Sequence, residues 1–143
     1  MRKKIAIIDD DPDIVTFFKS VLEDEGFEFI EANDGEEGIP LIRTEKPDLV
    51  LLDLMMPKKG GYLVFDEMNE NPELQGIPII IISGASKATG IDHKQLSTVY
   101  IHEKIEERKE NAPAEQTVAT IEYLEKPVEP EVLINTVKKV LDA

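Results

Sequence analysis

Cysteine is absent from the chain, which excludes disulfides and thiol chemistry and fits a reducing compartment. Basic residues are scarce: 16 Lys and Arg stand against 30 Asp and Glu, a formal net charge of −14. That balance argues against direct binding to nucleic acid, whose affinity rests on cations that neutralise phosphates. It favours instead a chain that stays soluble and recruits cations. Long apolar runs are missing too. No segment approaches about 18 uninterrupted apolar residues, so no membrane-spanning helix is expected. Met1-Arg2-Lys3-Lys4 looks like the charged start of a signal peptide, but the apolar run Ile5 to Ile8 stops at three aspartates. A cytoplasmic location is expected. There is no internal repeat or low-complexity tract, and 143 residues suit one domain with a substantial core.

What is present is organised around Asp48-Leu49-Val50-Leu51-Leu52-Asp53-Leu54-Met55-Met56-Pro57. A short apolar run that closes on a carboxylate reads as a buried parallel strand delivering an acid to a loop. Pro57 cannot donate to a ladder, so the strand ends before it. Asp53 then sits at the carboxyl end of a strand, where open α/β sheets place their ligand sites.

The same pattern runs along the chain. Lys4 to Ile8 is an apolar strand ending on Asp9-Asp10-Asp11-Pro12, and Pro12 suits the first turn of a helix that Gly26 closes. Phe27 to Glu31 alternates as a second strand. Asn33-Asp34-Gly35 makes a turn and N-cap for a helix over Glu36 to Thr44, with Pro40 placed near its first turn, where the cost of a proline is lower. Tyr62 to Asn69, with Leu63, Val64, Phe65 and Met68, is a third amphipathic helix. Ile77 to Ile82 is a fourth strand ending on Ser83-Gly84, and Ile121 to Leu124 is a fifth ending on Glu125-Lys126-Pro127. A last helix starts at Pro130, with Val132, Leu133, Val137, Val140 and Leu141 as its apolar stripe. Strands alternating with helices imply a doubly wound α/β fold: a five-stranded parallel sheet in the flavodoxin-like order 2-1-3-4-5, with helices on both faces. The stretch between the fourth and fifth strands is longer than usual crossovers. Asp92 could cap an inserted or extended helix around 92 to 110, largely charged in its second half.

Parallel strands bring their carboxyl ends to one edge, so Asp9, Asp10, Asp53, Ser83 and Lys126 are expected together. Crowded carboxylates call for a cation, and hard oxygen ligands with room for water suit Mg²⁺. A carboxylate can serve as a covalent nucleophile toward phosphorus, and an ammonium and a hydroxyl nearby would hold the other phosphoryl oxygens. Singly, each residue has a plainer reading: Asp9 to Asp11 as an N-cap cluster, Ser83 as a turn residue.

Taken jointly, Ile7-Ile8-Asp9-Asp10-Asp11-Pro12, Asp53-Leu54-Met55-Met56-Pro57 with Gly61, Ser83 with Gly84, and Tyr123-Leu124-Glu125-Lys126-Pro127 resemble the receiver domain of bacterial two-component response regulators, of the stand-alone type. The resemblance covers the chain apart from an enlarged segment at residues 86–118, and takes 1–143 as one receiver domain. It implies that Asp53 is a phosphoacceptor served by a sensor histidine kinase or phosphotransfer protein. It implies Mg²⁺, with Mn²⁺ as the alternative, held by Asp9, Asp10, Asp53 and the backbone carbonyl of Met55, Asp10 directly and Asp9 through water. Ser83 would be the switch hydroxyl, Tyr123 the switch aromatic and Lys126 the partner of the phosphoryl group, with a cis peptide bond before Pro127.

Several features depart from the family pattern. Gly84 replaces the more usual Ala, Lys58-Lys59-Gly60 replaces a more usual acidic or apolar loop, Val118-Ala119-Thr120 replaces a Gly-Ala pair, and the enlarged segment rebuilds part of the output face. The implied protein is a signalling domain rather than an enzyme, a monomer or a phosphorylation-dependent dimer. No output domain follows Leu141-Asp142-Ala143, so readout is expected through a downstream protein target. Two rival readings are a receiver-shaped interaction module that is not phosphorylated and a Mg²⁺-dependent aspartyl-phosphate phosphohydrolase. The second lacks the usual acid two residues after the nucleophile, where Met55 stands.

Overall fold

The middle strands are apolar on both sides because both sides of the sheet are covered. The computed structural model describes residues 2–54, 56, 60–83, 103, 106–107 and 120–142, with the side chain of Ser83 outside the description. Five strands, β1 (Lys4–Ile8), β2 (Glu28–Ala32), β3 (Leu49–Asp53), β4 (Ile79–Ser83) and β5 (Ile121–Glu125), form one parallel sheet in the order β2-β1-β3-β4-β5. Among the described residues they are connected or followed by the helices α1 (Pro12–Glu23), α2 (Gly35–Glu45), α3 (Gly61–Glu70) and α4 (Pro130–Asp142). This is the doubly wound, flavodoxin-like order that the alternation of strands and helices predicts.

Side chains alternate across a strand, so each central strand supplies two layers. Ala6, Ile8, Val50, Leu52, Ile79 and Ile81 pack with Ile39 and Ile42 of α2 and Val64, Phe65 and Met68 of α3. Ile5, Ile7, Leu49, Leu51, Ile80 and Ile82 pack with Val15, Phe18 and Leu22 of α1 and Leu133, Val137 and Val140 of α4. A one-residue slip would exchange the two sets, and the sizes of the facing side chains then no longer match. The register pairs Ile8 with Leu52, Asp53 with Ile82 and Ser83 with Glu125. Those pairings align the carboxyl ends along one edge.

The helix starts are chemically marked. The Asp11 carboxylate accepts the Asp13 N–H at 2.9 Å, and Pro12 fills the first turn of α1. Asp34 accepts the Glu37 N–H at 3.0 Å, while Glu37 reaches back to the Asn33 N–H at 3.2 Å. Gly26 adopts φ 84° after α1, and Lys46 ends α2 in the left-handed region at φ 44°.

Some boundaries differ from the sequence reading, each for a local reason. Pairing of β2 begins at Glu28, whose N–H bonds to the Lys3 carbonyl at 2.9 Å, and runs on through Ala32. The fourth strand starts at Ile79 because Ile77 donates to Leu74 in the preceding turn and Pro78 has no N–H. Helix α2 starts at Gly35, so Pro40 is an interior residue of the helix rather than one near its first turn. Pro40 and Glu36, whose carbonyl loses its helical donor to the proline, are both exposed residues, so the loss falls on the outer side of the helix. Leu63 and Val132 follow the helical apolar pattern yet are exposed, 52% and 46%. Of the helix expected around 92–110, Glu103, Glu106 and Glu107 are helical and exposed; the rest lies outside the described residues. Among the described residues no helix is long and apolar enough to cross a membrane.

Helix α2 contains Gly35, Gly38 and Pro40, so its intrinsic propensity is poor and its caps carry more weight. Asp34→Ala is expected to lower stability by about 1 kcal/mol. The midpoint of urea unfolding at unchanged slope measures this.

Candidate functional site

The site assembles because β1 and β3 are parallel neighbours that end together. Each releases its chain just after its last apolar residue, so Asp9 and Asp53 emerge side by side at the crevice. One carboxylate oxygen each from Asp9, Asp10 and Asp53 lies within 4.8 Å of the others. Asp9 and Asp53 are buried, 2% and 4% exposed, whereas Asp10 faces solvent. The run of three aspartates divides its labour: Asp11 caps α1, leaving Asp9 and Asp10 to the cluster.

Lys126 enters from the loop after β5, across the width of two strands. Its ammonium is 3.2 Å from Asp9 Oδ2 and 3.7 Å from Asp53 Oδ2. The peptide bond Lys126–Pro127 is cis, as the resemblance implied. Asp9 has both oxygens engaged, Oδ1 accepting the Asp11 N–H at 2.9 Å and Oδ2 meeting Lys126. Burial nonetheless pushes the Asp9 carboxyl above its ordinary value of 3.8, and the Asp11 N–H and the Lys126 charge only partly offset that rise.

The donor set suits a small hard cation. Three carboxylates converge, one on the solvent side where waters can complete the shell, and that is the chemistry Mg²⁺ takes. Asp9, Asp10 and Asp53 each bring one carboxylate oxygen to that cluster. Of the other predicted site residues, Tyr123 pairs in register with Ile81 and lies half-buried against the cluster shared by α2 and α3. The Met55 carbonyl and the Ser83 hydroxyl lie outside the described residues, although the Ser83 backbone closes β4 beside Glu125.

The sequence reading gave no role to the contact between Gly61 and the backbone of Asp53. The Gly61 N–H donates to the Leu54 carbonyl at 3.1 Å, docking the start of α3 on the end of β3. The only sequence signal was a glycine at a set distance after the strand.

A parallel sheet of this order, with an acid cluster and a lysine at its switch point, defines a flavodoxin-like α/β domain with a charged crevice at its strand ends. The profile of the response regulator receiver domain family matches residues 5–110. The chain belongs to that family, and so to two-component signalling. It is 30% identical over 138 residues to Protein PilH of Pseudomonas aeruginosa, covering 96% of this chain and 97% of that one. It is 40% identical over 83 residues to the alkaline phosphatase synthesis transcriptional regulatory protein PhoP of Bacillus subtilis, covering 58% of this chain but only 34% of that regulator. Among solved structures, a CheY-like response regulator receiver domain protein from Methanospirillum hungatei superposes with a TM-score of 0.74 at 26% identity, covering 99% of this chain and 95% of that one.

A raised carboxyl pKa means that the folded protein binds the Asp9 proton more tightly than the unfolded chain does. Stability attributable to Asp9 therefore rises as pH falls through the raised value towards the ordinary 3.8. Asp9→Asn is accordingly expected to raise the melting temperature of metal-free protein at pH 7, with a gain that shrinks on acidification through that window. Thermal melts in chelator across a pH series check the sign.

Proposed function

We propose that residues 1–143 form a single receiver domain in which Asp53 accepts a phosphoryl group from a histidine kinase or phosphotransfer protein. The observation that carries this reading is the Lys126 ammonium 3.7 Å from an oxygen of a buried Asp53 within the three-carboxylate cluster. A carboxylate oxygen of Asp53 attacks the phosphorus of a phosphohistidine. The new P–O bond forms as the P–N bond breaks, and the imidazole nitrogen leaves with the electron pair. Lys126, pre-placed by Asp9, turns to the incoming phosphoryl oxygens. Asp10 and Asp53 would hold Mg²⁺ directly, with the backbone carbonyl of Met55, and Asp9 through water. The ion supplies charge neutralisation at the transferring group.

Phosphorylation then biases a two-state equilibrium through the Ser83 hydroxyl and the Tyr123 ring. The ring's place against the α2–α3 cluster, one strand from the site, supports that role. The altered surface binds a downstream protein, and residues 86–118 form an enlargement that sets which one. The excess of acidic residues supports a protein target over nucleic acid.

Incubation with acetyl phosphate is expected to add one phosphoryl group to the wild type only with Mg²⁺, and none to Asp53→Asn. Intact-mass spectrometry decides this, and an adduct that persists in Asp53→Asn removes the site assignment. Asp53→Asn should fold and lose no stability without metal, since one of three crowded charges is gone. Millimolar Mg²⁺ should raise the wild-type melting temperature by mass action, and chelator should reverse the rise.

A further inference from the structure

We infer that Gly61 is a positioning residue for the Asp53 chemistry, because the first residue of α3 seats directly on the acceptor's own main chain. The inference rests on the phosphoacceptor reading above and deepens it. A Cβ at position 61 would lie 2.6 Å from Leu54 Cα and 2.9 Å from Asp53 C, and still closer to the Asp53 carbonyl oxygen. All three are backbone atoms, so no side-chain rotation relieves the overlap. A methyl there moves either α3 or the end of β3.

The neighbouring glycine shows that the requirement is local. A Cβ on Gly60 would meet only the Leu54 and Met56 carbonyl oxygens at 3.5 and 3.7 Å, ordinary contact distances. Gly60 also holds φ −72° and ψ 169°, backbone that any residue adopts. The two positions share a loop and a residue type and differ in what they touch. Asp53 has little other freedom, since Leu51 and Leu52 before it are locked in the core on opposite faces. Docking of α3 through the Gly61 N–H to the Leu54 carbonyl therefore sets where the Asp53 carboxylate stands relative to Lys126 and Asp10.

Coupling of this kind is reciprocal: if α3 docking prepares the acid cluster, a cation in the cluster must tighten the docking. The experiment compares wild type, Gly61→Ala and Gly60→Ala for acetyl phosphate labelling at Asp53, run well below each variant's own transition, and for the Mg²⁺-induced rise in melting temperature. Gly61→Ala is expected to label about tenfold to a hundredfold more slowly and to lose the Mg²⁺-induced rise. Gly60→Ala is expected to stay within about twofold of wild type and to keep the rise. A purely structural glycine would lower the metal-free melting temperature of Gly61→Ala while leaving its Mg²⁺ increment and labelling rate unchanged, and that result overturns the inference.

Should Gly61→Ala not fold, amide hydrogen exchange of the wild type decides. Mg²⁺ is expected to slow exchange at the Gly61 N–H, and unchanged exchange at a saturating concentration overturns the inference. Absence of labelling in the wild type would instead strike the phosphoacceptor reading, leaving the Mg²⁺ measurements to judge Gly61.

Discussion

Mutual repulsion among Asp9, Asp10 and Asp53 is the constraint on which the rest of this structure turns. A fold left to minimise its own energy would keep such groups apart or expose them all. Here Asp9 and Asp53 are buried and Asp10 stands at the surface beside them. The free energy that offsets this comes from two apolar layers, one on each side of the sheet, that hold β1 and β3 in register whatever their ends prefer. Lys126 supplies part of the compensation from within the protein. A cation held among the three carboxylates would supply the remainder.

The same arithmetic explains why Asp9 and Asp53 differ although both end a strand. Asp9 receives a backbone N–H from Asp11 and the closer approach of Lys126, and so acts as the fixed anchor of the site. Asp53 lies at the more distant edge of the lysine's reach and opposite the start of α3. Its carbonyl is crowded while its carboxylate faces the crevice. One residue therefore joins the apolar core, the helix dock and the acid cluster. Changes in any of the three are felt at the others.

Much of this was legible in the sequence. The isoleucine and leucine runs at residues 5–8, 49–52 and 79–82 could satisfy neither a one-sided sheet nor a helix of ordinary amphipathicity, which leaves a parallel sheet covered on both faces. Each run stops on a polar residue, which puts Asp9, Asp53 and Ser83 at strand ends. Other features depend on packing between elements. Pro40 looked like a residue near the start of its helix because the start at Gly35 depends on the Asp34 cap and on close packing of Gly38 against Ile8. Leu63 and Val132 fit the helical stripes but lie at their margins, where a few degrees of helix rotation decide exposure.

The sequence by itself determined the order of elements, the polarity of each strand end and the acids and lysine available for chemistry, since these follow from periodicity and from where apolar runs stop. Only the tertiary structure decided which oxygen of Asp9 meets Lys126, how Asp11 is diverted to capping, and why position 61 tolerates no side chain. Those facts are distances between groups far apart in the chain, 117 residues in the case of Asp9 and Lys126. Local pattern carries no information about separations of that kind until packing has fixed them.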